Sequence, residues 1–388
     1  MKLSGTRGAT WRELIGAIVL VLASLVSRAG AQAADSVAKT TTGTSADTLP
    51  QRTFGGFVDT YYAWDFNRPH NFDRAYTTQP ARHAEFNVNL AYVETKWSGP
   101  RYRGRLALQW GTSVQANYAG EPKLGSVSGP NVSQFIQEAT VGYQLGPALW
   151  LDAGIFFSHV GLEGWISRDN LSYTRSLVAD FSPYYEAGAK LTWTPSSRLT
   201  ATFCLLNGWQ DVSNYNTPPA TGVRIDYTPS PTVTLTYDNF IGNATADSVP
   251  VHLRIYHDVI AQYSPNAQWQ FAANYSLGSQ SRSTASGGTA SWWGITTFAK
   301  YHATPRLAFV GRAEKYSDPS QIIVVTGSPA SFQTTGASIG TDVSFVGPMV
   351  WRTELRALRS TNAIWPSNVS GQYSANNTFA VTSLSVTF

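Results

Sequence analysis

The chain ends Leu384-Ser385-Val386-Thr387-Phe388, an alternation of apolar and small polar residues that runs to the last position. Period-two alternation is what a strand with one apolar face requires. A terminal aromatic on such a strand is the mark that bacterial outer-membrane assembly machinery reads, so Phe388 is the candidate assembly signal. The expectation is an all-β fold, a closed antiparallel transmembrane β-barrel lodged in outer-membrane lipid.

Working back from that strand, the same alternation recurs with charge on one face. In 350–357, Trp351 and Leu355 oppose Arg352, Glu354 and Arg356. In 305–314, Leu307 and Phe309 oppose Arg306, Arg312 and Glu314. In 251–258, Leu253 and Ile255 oppose His252, Arg254 and Asp258, and in 232–238, Val233, Leu235 and Tyr237 oppose Asp238 and three threonines. The apolar set is assigned to lipid and the charged set to a lumen. A one-residue slip would turn every charge outward, at about 2–4 kcal/mol per Arg or Lys at the bilayer midplane, so register is strongly fixed.

The turns give the topology. Short Pro-containing connections fall at 98–100, 145–147, 194–197, 228–231, 264–266, 304–305 and 346–348. Between them lie longer polar segments at about 66–83, 118–132, 161–182, 210–219, 243–250, 279–290, 318–331 and 360–375. Seven tight turns and eight long loops join about 16 strands. Short periplasmic turns with long extracellular loops are the outer-membrane asymmetry. Trp97, Trp150, Trp193, Tyr227, Trp269, Tyr301 and Trp351 sit near strand ends and are expected in the aromatic girdle of the periplasmic rim.

The N-terminus reads as an export signal. Lys2, Arg7 and Arg12 precede an apolar run from Leu14 to Val26, and Ala31-Gln32-Ala33 fits a small-x-small cleavage site. The expected division is 1–33 signal peptide, 34–50 flexible leader and 51–388 barrel. The net charge of +4 falls to about +1 once the signal peptide's four bases and one acid are removed. No basic stripe remains, so nucleic acid is excluded as a partner. Cys204 is the single cysteine, which leaves no disulfide framework. Charged residues are only 13%, as few as aromatics, against about 25% in soluble domains. No stretch after the leader approaches the roughly 18 apolar residues of a spanning helix. A secreted β-sandwich would also alternate, but strand length, loop asymmetry and Phe388 together favour the barrel.

Residues 160–190 then carry a resemblance. Val160-Gly161-Leu162-Glu163-Gly164-Trp165, Arg168-Asp169-Asn170, Thr174-Arg175-Ser176-Leu177 and Pro183-Tyr184-Tyr185-Glu186-Ala187-Gly188, with the opening Thr53-Phe54-Gly55-Gly56-Phe57-Val58-Asp59-Thr60-Tyr61-Tyr62, resemble the OmpL-like family of β-barrel porins. The resemblance implies an outer-membrane porin passing small hydrophilic solutes by passive diffusion. Its alternative is a solute-selective or self-plugged structural or adhesive barrel.

Residues 161–182 are the third long loop, and in sixteen-stranded porins the equivalent loop folds inward. Glu163, Arg168, Asp169, Arg175 and Asp180 are therefore the candidate constriction residues; mixed charge there favours hydrated solutes. Candidate wall residues are Arg103, Arg105, Arg224, Asp226, Arg254, Asp258, Arg312, Glu314, Arg352, Glu354 and Arg356. Lumen acids nearly balance lumen bases, so strong ion selectivity is not expected. Arg101 is expected at the headgroup rim. Tyr61, Tyr62, Trp64 and Tyr76 form a possible sugar-stacking group near the first loop.

Catalysis lacks a constellation. Ser158 and His159 are adjacent and expected on opposite faces of a strand. His252 and His257 differ by five, and no His-x-x-x-His or cysteine pair offers metal spacing. The expectation is no enzyme, no metal and no cofactor. Partners are expected to be lipid, the assembly machinery through the last strand, solutes and further copies in a homotrimer.

Overall fold

The computed structural model describes residues 50–214, 218–244, 252–281, 288–327, 329–345 and 347–388. The expected signal peptide and nearly all of the leader lie outside the described residues. The rest forms a closed antiparallel barrel of sixteen strands. In chain order these are β1 (Gln51–Asp65), β2 (Phe86–Ser98), β3 (Tyr102–Trp110), β4 (Ile136–Gly146), β5 (Leu149–Phe157), β6 (Tyr185–Ser196), β7 (Leu199–Leu206) and β8 (Ala220–Ser230). They continue as β9 (Val233–Asn243), β10 (Leu253–Tyr263), β11 (Trp269–Ser281), β12 (Thr289–Thr304), β13 (Leu307–Asp318), β14 (Phe332–Ser344) and β15 (Met349–Ser360). Two short strands, β16 (Trp365–Pro366) and β17 (Tyr373–Ser374), pair within the last long loop before β18 (Asn376–Thr387) completes the wall. The strand ends fall on either side of the connections that the Pro and Gly punctuation marks, although parts of the expected segments 210–219, 243–250, 279–290, 318–331 and 346–348 lie outside the described residues.

Closure joins the two ends of the chain. β1 pairs with β18 from Phe57 opposite Thr387 to Asp65 opposite Phe379. Beyond the ladder, Gly56 N donates to Phe388 O at 2.9 Å and Phe388 N donates to Gly56 O at 3.1 Å. A Cβ at Gly56 would strike the Phe388 ring, which explains the glycine. With both edges paired, no row of backbone groups faces hydrocarbon, where each would cost several kcal/mol.

The parity of the charges assigned to the lumen holds on β13 and β15. Arg312, Glu314, Arg352, Glu354 and Arg356 are all buried on the inner face, while Phe309, Trp351 and Leu355 are exposed on the outer. The aromatic rim needs one correction. Trp150 shares a face with Asp152 and points inward, with the Arg103 guanidinium 4.3 Å from its ring centroid. Proximity to a strand end places a residue by height, and parity decides its face. Trp193, Tyr227, Trp269 and Trp351 are exposed on the outside as expected.

Candidate functional site: the lumen and its third loop

β5 stops at Phe157, and from there the chain enters the barrel. The neck of the loop is closed by Ser158 N donating to Tyr184 O at 3.0 Å. Between these points residues 159–183 run down the lumen. Gly161 N donates to Asp238 of β9 at 3.1 Å, and Ser167 Oγ donates to Asp59 of β1 at 2.8 Å. At the tip Arg168 reaches Pro348 O at 3.2 Å and the Thr387 hydroxyl, both at the periplasmic end.

The returning arm lies against β12, β13 and β15. Arg352 donates to the carbonyls of Ser167 at 2.5 Å, Asn170 at 3.0 Å and Leu171 at 2.8 Å. Glu354 accepts from Thr174 N at 2.7 Å and its hydroxyl at 2.9 Å, and Arg312 donates to Thr174 O at 2.6 Å. Glu314 accepts from Leu177 N at 2.7 Å. Leu177 and Val178 then pack into an aromatic cluster that includes Tyr173, Trp292, Tyr316 and Phe332.

The wall groups neutralise one another before they hold the loop. Arg312 pairs with Glu354 at 2.9 Å, Arg356 with Glu314 at 2.8 Å, and Arg352 and Lys300 share Asp342 at 2.7 and 2.5 Å. The Arg312–Glu354 and Arg356–Glu314 pairs span from β13 to β15 across β14. That crossing needs a low middle strand, and β14 offers Gly336, Ser338 and Gly340 on its inner face. A Cβ at Gly336 would lie 2.9 Å from Glu314 Oε1 and 2.5 Å from a Leu358 methyl. Glu354 and Arg356 of β15 thus pair with a strand two places away and Arg352 with its neighbour β14, and none of the three pairs with another.

The five loop candidates divide. Arg168 and Asp169 are exposed at the tip. Glu163 and Arg175 are buried and hold the loop in shape. Arg175 donates to Gly164 O at 3.0 Å and to Trp165 O, and its guanidinium lies 4.2 Å from the Tyr184 ring centroid. Glu163 accepts from Ser176 N at 3.2 Å; burial pushes its carboxyl up to about 7 against the pull of Arg312 and Ser176. Asp180 is half-buried, accepts from the Thr78 hydroxyl at 2.9 Å, and is likewise raised by burial.

The wall candidates Arg103 and Arg105 are both paired with lumen acids. Arg103 is bidentate on Asp152 at 2.7 and 2.5 Å; Arg105 meets Glu94 at 2.7 Å and also Glu138. Arg101 caps Gln144 O at 2.9 Å beside the turn, a rim position as expected. Arg224 pairs with Asp226 at 3.0 Å. Arg254 donates to Gln280 at 2.7 Å under Trp209, and Asp258 accepts from Asn274 at 2.6 Å. The sugar-stacking group is not assembled. Tyr61 is buried in the lumen, Tyr76 packs on Phe332 and Trp365, and Tyr62 and Trp64 line the outer wall. Asp59 of β1 is a further lumen group, buried beside Phe57 and Tyr61 on a face whose two aromatics hide its inward direction in the sequence and whose one carboxylate is the signal for it.

Ser158 and His159 require a second correction. Because β5 has ended, strand parity no longer applies, and both side chains reach Glu186: Ser158 Oγ at 2.8 Å and His159 Nδ1 at 2.9 Å. His159 Nε2 meets Asn239 O at 2.7 Å. Both ring nitrogens thus face acceptors, the arrangement of an imidazolium. Burial lowers the affinity of His159 for its proton, but Glu186 and the Asn239 carbonyl outweigh it and raise it above the usual value. Ser158 bonds to the carboxylate rather than to an imidazole lone pair, so no nucleophile is activated. Cys204 lies within the same 4.8 Å cluster, yet with both ring nitrogens engaged His159 offers no lone pair to a metal.

The opposite side of the lumen is open and bears hydroxyls. Thr192, Thr200, Thr202, Thr228 and Thr234, on the inner faces of β6–β9, are all partly exposed. Two cavities of about 210 and 120 Å³ flank the descending arm, each bounded by Glu163 and Asp169.

A sixteen-strand barrel with an ionic inner face, an apolar outer face and a long inserted loop is the architecture of outer-membrane channels. The chain matches the family described as "Putative beta-barrel porin-2, OmpL-like" over residues 51–388, and it belongs to that family. It is an outer-membrane porin of the bacterial cell. No curated protein matches the sequence. Among solved structures it is similar to the anion-selective porin of Comamonas acidovorans, with 11% identity over 87% of this chain and 100% of that one at a TM-score of 0.54. The Salmonella typhi OmpF complex with daunomycin gives 14% identity, 87% and 98% coverage and 0.55. The trimer form of OmpT, an outer membrane protein of Vibrio cholerae, gives 9%, 87% and 99%, and 0.57. At these identities the likeness speaks for the fold alone.

Proposed function

We propose that the protein is a passive, non-enzymatic pore for small hydrophilic solutes, narrowed by residues 161–182. The observation that carries this reading is the lopsided lumen. Residues 167–177 of the loop are fastened to β12, β13 and β15 by charged groups; its neck is held by Glu186, Arg224 and Asp238, and the threonine face of β6–β9 keeps solvent exposure. Solutes pass between that face and the tip, where Arg168 and Asp169 stand as an opposed pair of charges. Neutral hydroxyls and paired ions give no sign of charge an advantage. In planar bilayers under a salt gradient the reversal potential is expected close to zero, and a large one would overturn the balanced lumen.

The proposal extends to partners. The assembly machinery recognises β18 through Phe388, and deletion of that residue is expected to lower the yield of folded barrel in cells. The chain forms a homotrimer, as the OmpT trimer form does; a monomer mass in mild detergent would argue otherwise.

A further inference from the structure

The outer wall carries charge only at its borders. Among the described strand residues every Asp and Glu faces the lumen, and the outward charges are Arg52 at the periplasmic end and Lys315 and Arg359 at the extracellular end. Lys315, Thr335 and Arg359 stand in one transverse row, since Lys315 is opposite Thr335 and Thr335 opposite Arg359. All three are exposed. Among the described residues neither base has a carboxylate partner; Lys315 Nζ rests 5.3 Å from the Trp293 ring centroid.

Below that row the wall becomes small and then hollow. The next row is Ala313, Ala337 and Ala357, in register on the same three strands. A broad, open hollow of about 920 Å³ lies beneath it; Gly311, Ile339, Thr341, Thr353 and Leu355 line it on these strands, and it extends to Trp269 of β11 and Trp64 of β1. Along β15, Arg359 and the rim residue Trp351 are eight residues apart, roughly 27 Å of strand. At a strand tilt of about 40° that is roughly 20 Å of height, so with their extended side chains the bases reach the upper border of an apolar band about 25 Å tall. The bases therefore stand at outer-leaflet headgroup height, and the hollow at acyl-chain height.

We propose that the outer face of β13–β15 binds an outer-leaflet lipid with a phosphorylated headgroup. This rests on the barrel standing in the outer membrane. Lys315 and Arg359, two strands and roughly 10 Å apart, hold phosphate oxygens by charge-assisted hydrogen bonds. An acyl chain passes over the alanine row into the hollow. Bare cations without counter-charge would otherwise sit at this height beside hydrocarbon.

The test is native mass spectrometry of the full folded protein in detergent with bisphosphorylated lipid A as the probe, with heat-modifiable gel migration as the folding check. Wild type is expected to retain the lipid. The double variant Lys315→Gln/Arg359→Gln loses about tenfold or more in occupancy, Arg52→Gln loses none, and lipid A stripped of phosphate binds wild type as weakly as the double variant binds lipid A. Equal occupancy in the folded double variant would overturn the site. So would full displacement by millimolar inorganic phosphate, which would make it a free-anion site. Channel conductance is unchanged in the double variant, so a failure here is distinguishable from a failure of the pore reading.

Discussion

Excising residues 164–180 raises single-channel conductance several-fold while the barrel keeps its heat-modifiable migration. The neck already closes without the excised segment. Ser158 N bonds to Tyr184 O at 3.0 Å and His159 Nδ1 meets Glu186 at 2.9 Å, both outside the excised residues. The wall beneath keeps its own ion pairs, Arg312 with Glu354 and Arg356 with Glu314. They become hydrated rather than orphaned, and the β1–β18 ladder that closes the barrel is made by those two strands' own backbone, which the loop touches only through side chains at Asp59 and Thr387. What changes is the narrowest cross-section, which sets the resistance. Unchanged conductance in a folded deletion would mean that the loop is not the constriction.

The double variant Glu314→Gln/Glu354→Gln has the second large effect. Each carboxylate carries two duties: it compensates a buried arginine and accepts a backbone N–H of the loop, from Leu177 and Thr174 respectively. Glutamine keeps the volume and removes the charge. Arg312 and Arg356, buried on the inner face, then lose their partners, and breaking one such pair costs about 3–5 kcal/mol. The loop's hydrogen bonds to a charged acceptor, about 1.5–3 kcal/mol each, weaken at the same time. The cheapest relief is to let water in by undocking the returning arm. The expected readings are a flickering, noisier current and new protease cleavage within 170–180, in a barrel that still migrates as folded. A quiet current with full protease protection would show that the anchors are dispensable.

Much of this molecule is legible in its residues because a membrane barrel is a two-sided object. Charge at Arg352, Glu354 and Arg356 can face only one way, and the turn at 98–100 or 304–305 needs no tertiary knowledge. The site is less legible. Which acid meets which base depends on β14 being low enough at Gly336 and Gly340 for side chains to cross it, a three-strand property absent from any one strand's pattern. Trp150 followed parity where rim position suggested otherwise. Ser158 and His159 escaped parity because β5 stops one residue earlier. Glu163 and Arg175 carry the charge expected of a constriction but spend it on the loop's own backbone and hydroxyls, while Arg168 and Asp169 stay exposed at its tip.

The most direct test of the account is sugar entry into liposomes containing the folded wild-type protein. Swelling should be rapid with a pentose or hexose and fall steeply with di- and trisaccharides, as a water-filled lumen narrowed by its third loop requires. A folded barrel that admits none of these sugars would contradict it and make the chain a self-plugged structural barrel.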